Sequence, residues 1–146
     1  MGLKYRKSVQ IVVYKIETGK IFYLILHRKK HWNGFEFPKG GIEKGESELD
    51  AVKRETKEEA GLKIKKILRY NVRGKFDYPR ELADRKGFIG QSYRLFSAEV
   101  FPGRVKIDKH EHSGYEWLGF KGAIKKLTHQ EQKDCLKVVE KKLSEL

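Results

Sequence analysis

One stretch constrains this chain more than any other: Gly40 to Leu62, GGIEKGESELDAVKRETKEEAGL. Gly40, Gly41 and Gly45 open it as a loop, and a helical pattern follows. Ser47 is placed as the N-cap, with Asp50 three residues on to close a capping box. Gly61 falls where a helix end needs a left-handed residue. Leu49, Val52, Thr56 and Ala60 recur at spacings of three and four and define the face expected to bury. On the shoulder of that stripe stand Glu55, Glu58 and Glu59, related as i, i+3 and i+4, so their carboxylates converge. Carboxylates that close raise one another's pKa unless a cation joins them. Oxygen donors beside a loop with free carbonyls suit a hard ion such as Mg²⁺ or Mn²⁺. The plainer reading of the helix alone is a solvated face on which Lys53, Arg54 and Lys57 pair with the glutamates.

The loop decides between the two. Gly40, then five residues, Glu46, seven residues, and Arg54-Glu55-Thr56-Lys57-Glu58-Glu59-Ala60-Gly61-Leu62 resembles the Nudix box, G-x5-E-x7-R-E-U-x-E-E-x-G-U with U aliphatic. Every fixed identity is present, and Leu62 fits the last aliphatic position. Thr56 departs from the other, adding a hydroxyl that needs a partner if buried.

The resemblance implies an α/β/α sandwich around a mixed sheet, and hydrolysis of a phosphoanhydride by water attack on phosphorus with divalent metal. It implies that Glu58 and Glu59 ligate metal, that Glu55 ligates metal or orients water, and that Arg54 orients Glu55. Glu46 then supports the site, and the Gly40 carbonyl completes the ligand set.

The rest of the chain reads as one domain, residues 1–146, with strands at 8–16, 21–27, 63–73 and 88–100. Thr128 with Glu131 forms a capping box for a last helix that buries Leu136, Val139, Leu143 and Leu146. Strands around helices argue for α/β layers. Phe35-Glu36-Phe37-Pro38-Lys39-Gly40 is similar to the family's W-x-F-P-K-G lead-in; Lys39 either reaches a phosphate or is one more surface lysine. His110-Glu111-His112 invites zinc but lacks a third and fourth ligand at matching spacing. In H-E-H-x-x-Y-x-W-L, which resembles asymmetrical diadenosine tetraphosphate hydrolases, Glu111 is the candidate further metal ligand or general base; the alternative is a plain loop acid. Phe76-Asp77-Tyr78-Pro79, Leu82 and Gly90-Gln91 are similar instead to RNA pyrophosphohydrolases and plant dinucleoside tetraphosphate hydrolases. Phe76, Tyr78 and Tyr93 are candidate base-stacking rings or ordinary packing.

A net charge of +13 favours polyanionic partners, nucleotides or nucleic acid, unless the lysines only solvate the surface. A single cysteine, Cys135, excludes an internal disulfide; with no signal pattern and Ile21–Leu26 too short to span a bilayer, a cytoplasmic protein is expected. The expected substrate is a dinucleoside polyphosphate. RNA 5′ ends are the alternative, then damaged triphosphates of the nucleotide pool, and last a non-catalytic nucleotide-binding role. The full complement of glutamates argues against that last reading.

Overall fold

The fold grows from two long, apolar, β-branched strands. In a computed structural model, which describes residues 4–80 and 82–146, β1 (Lys4–Glu17) turns at Thr18-Gly19 into β2 (Lys20–Arg28). Residues Val9 to Tyr14 and Tyr23 to Leu26 are buried on both faces, so these strands lie at the centre of the sheet. After β3 (Gly34–Glu36) and β4 (Lys39–Gly41) comes helix α1 (Glu48–Ala60). The chain continues as β5 (Ile64–Asp77), a 3₁₀ turn (Ala83–Arg85), β6 (Phe88–Val100), β7 (His112–Leu118), α2 (Phe120–Lys126) and α3 (Gln130–Ser144). The strand order is β3-β2-β1-β6-β5, with β4 paired to β1 and β7 to β2. Among the described residues β1 and β6 run parallel and the other pairs antiparallel, which makes the sheet mixed.

Alternation along β1 divides the core. Val9, Ile11 and Val13 face α1, where Ala51, Val52 and Ala60 pack on them; Val12 and Tyr14 face α2 and α3, against Ala123, Leu127, Leu136 and Val139. Helices on both faces of a mixed sheet form the expected α/β/α sandwich. No helix among the described residues is long and apolar enough to cross a membrane.

Local signals at α1 are realised. Ser47 Oγ accepts from the Asp50 amide at 3.1 Å and Asp50 Oδ2 from the Ser47 amide at 3.3 Å, and Gly61 is left-handed at φ 66°. The buried stripe is rotated from the expected one. Leu49 is 47% exposed, and Glu55 and Glu59 join Val52, Thr56 and Ala60 on the inner side. The helix meets the sheet through Ala51, Val52, Glu55, Thr56, Glu59 and Ala60, so Glu55 and Glu59 turn inward while Glu58 stays outside.

Other expectations are corrected. Thr128 does not cap α3: its Oγ1 accepts from the Phe35 amide at 2.8 Å, joining the helix layer to β3, and the N-cap is His129 without a side-chain bond. Leu146 is 70% exposed. β5 continues to Asp77, placing Phe76 on a strand, because its pairing with β6 resumes after an irregularity between Arg69 and Arg73.

Candidate active site

Where α1 meets the β4 loop, one arginine organises the box. Arg54 donates from Nε to Glu46 Oε2 (2.7 Å), from Nη2 to Glu46 Oε1 (2.9 Å) and the Gly41 carbonyl (2.8 Å), and from Nη1 to Glu55 Oε1 (2.7 Å) and Glu58 Oε2 (3.2 Å). Its guanidinium fork thus ties loop to helix. Hydrogen bonding from Arg54 holds Glu46 down at about 2.

Glu55 crosses to β4 so closely that a Cβ at position 40 would fall 2.0 Å from its carboxyl carbon, which is why that strand needs glycine there, a correction to the loop expected at Gly40 and Gly41. Burial pushes Glu55 up to about 7 against the pull of Arg54. Glu59 is 2% exposed, its Oε2 has no hydrogen-bond partner, and burial followed by repulsion from Glu55, Glu36 and Glu111 raises it well above the carboxylate range. The expectation that Glu59 sits on a shoulder outside the buried face is therefore corrected. Glu58 projects to solvent, its side chain 55% exposed.

Among the described residues no three carboxylate, imidazole or thiol groups converge as a metal cage, and Glu55 and Glu58 both accept from Arg54. The donors nevertheless fit a divalent cation: an orphaned, buried carboxylate oxygen on Glu59, an almost buried Glu55, and a glycine carbonyl, all of them hard oxygen.

A cleft of about 250 Å³ opens beside this corner, and its walls bring Glu55, Glu111, Gly40 and Lys39 together with Arg6, Arg28, Lys30, Arg85 and Gln91. Basic side chains lining the same cleft as Glu55, Asp84 and Glu111 suit a polyphosphate that arrives with a cation.

Lys39 is no surface lysine. Its side chain is 9% exposed, its Nζ stands 3.4 Å from Glu36 Oε1 and 4.7 Å from the ring centroids of both Trp32 and Phe76, and burial lowers its pKa against the pull of Glu36. Lys39 also borders a second cleft, of about 350 Å³, walled by Trp32, Phe76, Tyr78, Pro79, His129 and Glu131. Phe76 and Tyr78 meet edge to face there, centroids 6.2 Å apart. Tyr93 is absent from that wall. It is buried against α3, its hydroxyl 3.9 Å from Cys135 Sγ, and its ring lies over Gly74, so the stacking expectation for Tyr93 is corrected.

The sequence reading missed a polar cluster behind the cleft. Arg28, Glu36 and His112 are each 2% exposed or less; Glu36 Oε2 accepts from Arg28 Nη1 at 3.1 Å and from His112 Nε2 at 3.0 Å. Burial alone would raise Glu36, but Lys39, His112 and Arg28 outweigh it and hold it at about 2. Its signal in the sequence is a lone acid between two phenylalanines in Phe35-Glu36-Phe37. Glu111 stands partly exposed at the cleft edge, 3.4 Å from Arg28 Nη2.

Comparison with known proteins agrees with this geometry. The NUDIX domain family matches residues 4–138. An RNA pyrophosphohydrolase of a Nitratiruptor species is 30% identical over 94% of this chain and 92% of its own length. An asymmetrical bis(5′-nucleosyl)-tetraphosphatase of Caenorhabditis elegans is 28% identical over 90% of this chain and 91% of its own. A crystal structure of a C. elegans Ap4A hydrolase binary complex superposes with a TM-score of 0.77 at 27% identity, covering 97% of this chain and 99% of that one. With the box on α1, the β4 glycine beneath Glu55 and a match over most of its length, the chain belongs to the Nudix family of hydrolases.

Proposed function

We propose that this Nudix hydrolase cleaves a phosphoanhydride bond of dinucleoside polyphosphates of the diadenosine tetraphosphate type, as a single catalytic domain. The observation that carries the proposal is the pair of adjoining clefts. An aromatic wall of Trp32, Phe76 and Tyr78 fits one base, and Lys39 leads from it into a charged cleft fit for a chain of phosphates. Glu55, Glu58, Glu59 and the Gly40 carbonyl, with Glu111 opposite, are the groups that would hold Mg²⁺ or Mn²⁺. When bound, the cation neutralises charge on the phosphoryl oxygens and lowers the pKa of water.

The chain's own residues do the rest. Arg6, Lys30, Lys39 and Arg85, which line the charged cleft, bind and align the phosphates. Arg54 holds Glu55 in place, and Glu55 or Glu111 takes the proton of the attacking water as its oxygen bonds to phosphorus and the bridging P–O bond breaks. The leaving phosphate departs with the electrons of that bond. A cytoplasmic location belongs to the same reading, supported by the free, buried thiol of Cys135.

RNA 5′ ends are the second reading, favoured by the names of relatives from Nitratiruptor and Helicobacter pylori and by the net charge of +13. Product analysis with diadenosine tetraphosphate, 5′-triphosphorylated RNA and free triphosphates, repeated across salt concentrations, separates the readings. Each backbone phosphate bound along a single strand adds about −0.7 to the slope of log affinity on log salt. Shallow slopes for both substrates and a higher kcat/KM for the dinucleotide are expected. A steep slope for RNA alone, with faster RNA turnover, overturns the first reading.

A further inference from the structure

Glu111 is held by the end of β2 at both its backbone and its side chain. Its carbonyl accepts from the amides of Lys29 (2.9 Å) and Lys30 (3.3 Å), and its carboxylate Oε1 lies 3.4 Å from Arg28 Nη2. Arg28 also donates from Nη1 to buried Glu36 at 3.1 Å and from Nε to the Lys30 carbonyl at 2.9 Å, and its Nη2 lies 3.5 Å from His31 Nδ1. Glu36 is fixed in turn by His112, the residue after Glu111, through Nε2 at 3.0 Å. One guanidinium thus joins a carboxylate sealed in the core to a carboxylate at the cleft. Stability alone does not require this, since a buried ion pair is often matched or bettered by apolar residues of the same volume. What an apolar substitute could not do is hold a charged, partly exposed side chain in one place.

We propose that Arg28, clamped by Glu36 and His112, is a positioning residue that sets the Glu111 carboxylate toward the glutamates of α1. The inference rests on the reading of Glu111 as a reactive or metal-binding group. Arg28 acts through Glu111 and touches no reacting atom. Lysine at position 28 would keep the charge that Glu36 needs but could not span both carboxylates, because an ammonium lacks the planar fork.

The test is a double-mutant cycle on kcat with the full chain, Mg²⁺ and whichever substrate the wild type turns over. R28K should lower kcat about 10-fold, the lower range for outer-shell partners, with KM within about twofold. E111Q should lower kcat about 100-fold, as loss of a positioned base or ligand does. The double variant should match E111Q within about twofold, since Arg28 would have nothing left to position. Multiplying effects in the double variant, or unchanged kcat in R28K, overturn the proposal and leave Arg28 a structural residue. Unchanged kcat in E111Q also overturns it, by removing the role of Glu111, while the wild-type turnover keeps the hydrolase reading intact. If R28K does not fold, E36Q, which removes the charge that clamps Arg28 while keeping the side chain's shape, takes its place in the cycle under the same criteria.

Discussion

Replacing Glu59 by glutamine should raise stability and remove activity together. This carboxylate is 2% exposed, one oxygen has no partner, and Glu55, Glu36 and Glu111 all repel it. An unsatisfied buried polar group costs about 1–3 kcal/mol, and more when charged; the glutamine amide keeps part of that cost but loses the charge. A net gain of about 1–2 kcal/mol follows, which for a domain of this size raises Tm by about 3–8 °C. The sign depends on pH. A carboxylate whose folded pKa is raised binds its proton more tightly when folded, so wild-type stability falls as pH rises above the unfolded pKa. The advantage of E59Q should therefore be largest near neutrality and vanish below about pH 4. Saturating Mg²⁺ should reverse the order, because a cation that binds only the folded wild type stabilises it by mass action. Activity should fall by about two to three orders of magnitude, the equivalent of about 3–4 kcal/mol of lost transition-state stabilisation. Thermal melts with chelator and with Mg²⁺, alongside turnover at saturating Mg²⁺, provide the readout. A lower Tm for E59Q in chelator, or near-normal turnover, would refute the reasoning.

Thr56 is fully buried with its hydroxyl unpartnered, so Thr56→Val, which restores the aliphatic residue of the box, should stabilise the fold by about 1 kcal/mol in urea unfolding with kcat unchanged; a loss of stability would reveal a partner for the hydroxyl. Glu36 titrates at about 2 when folded against 4.5 ordinarily, so its contribution is complete above pH 4.5 and disappears as pH falls through 2. The stability gap between wild type and E36Q should close over that window; a gap that stays constant would contradict the assigned ion pairs. Turnover should vanish in excess chelator, return with Mg²⁺ or Mn²⁺, and fail with Ca²⁺, whose longer bonds and higher coordination misplace the attacking water. Full activity in chelator would count against any role for the carboxylate cluster.

The sequence by itself determined the box and its immediate geometry. Capping at Ser47 and the left-handed Gly61 are local, fixed by chemistry within a few residues of one another, and both are found as the spacing implied. The central strands were legible for the same reason, since a continuous run of Val, Ile and Leu is costly anywhere but inside a sheet. Only the tertiary structure decided which carboxylates are buried. Helical spacing says that Glu55 and Glu59 share a face with each other, but which face meets the sheet depends on where β1 and β4 lie, and that put Glu59 inside and Leu49 out. The cluster of Arg28, Glu36, His112 and Glu111 was equally out of reach. Its members come from three strand ends distant in sequence, and they meet because β2 pairs with both β3 and β7. Thr128 and Tyr93 make the same point in reverse: a capping pattern and an aromatic ring each had a sound local use, and a stronger non-local partner took both, the Phe35 amide for one and the α3 core for the other.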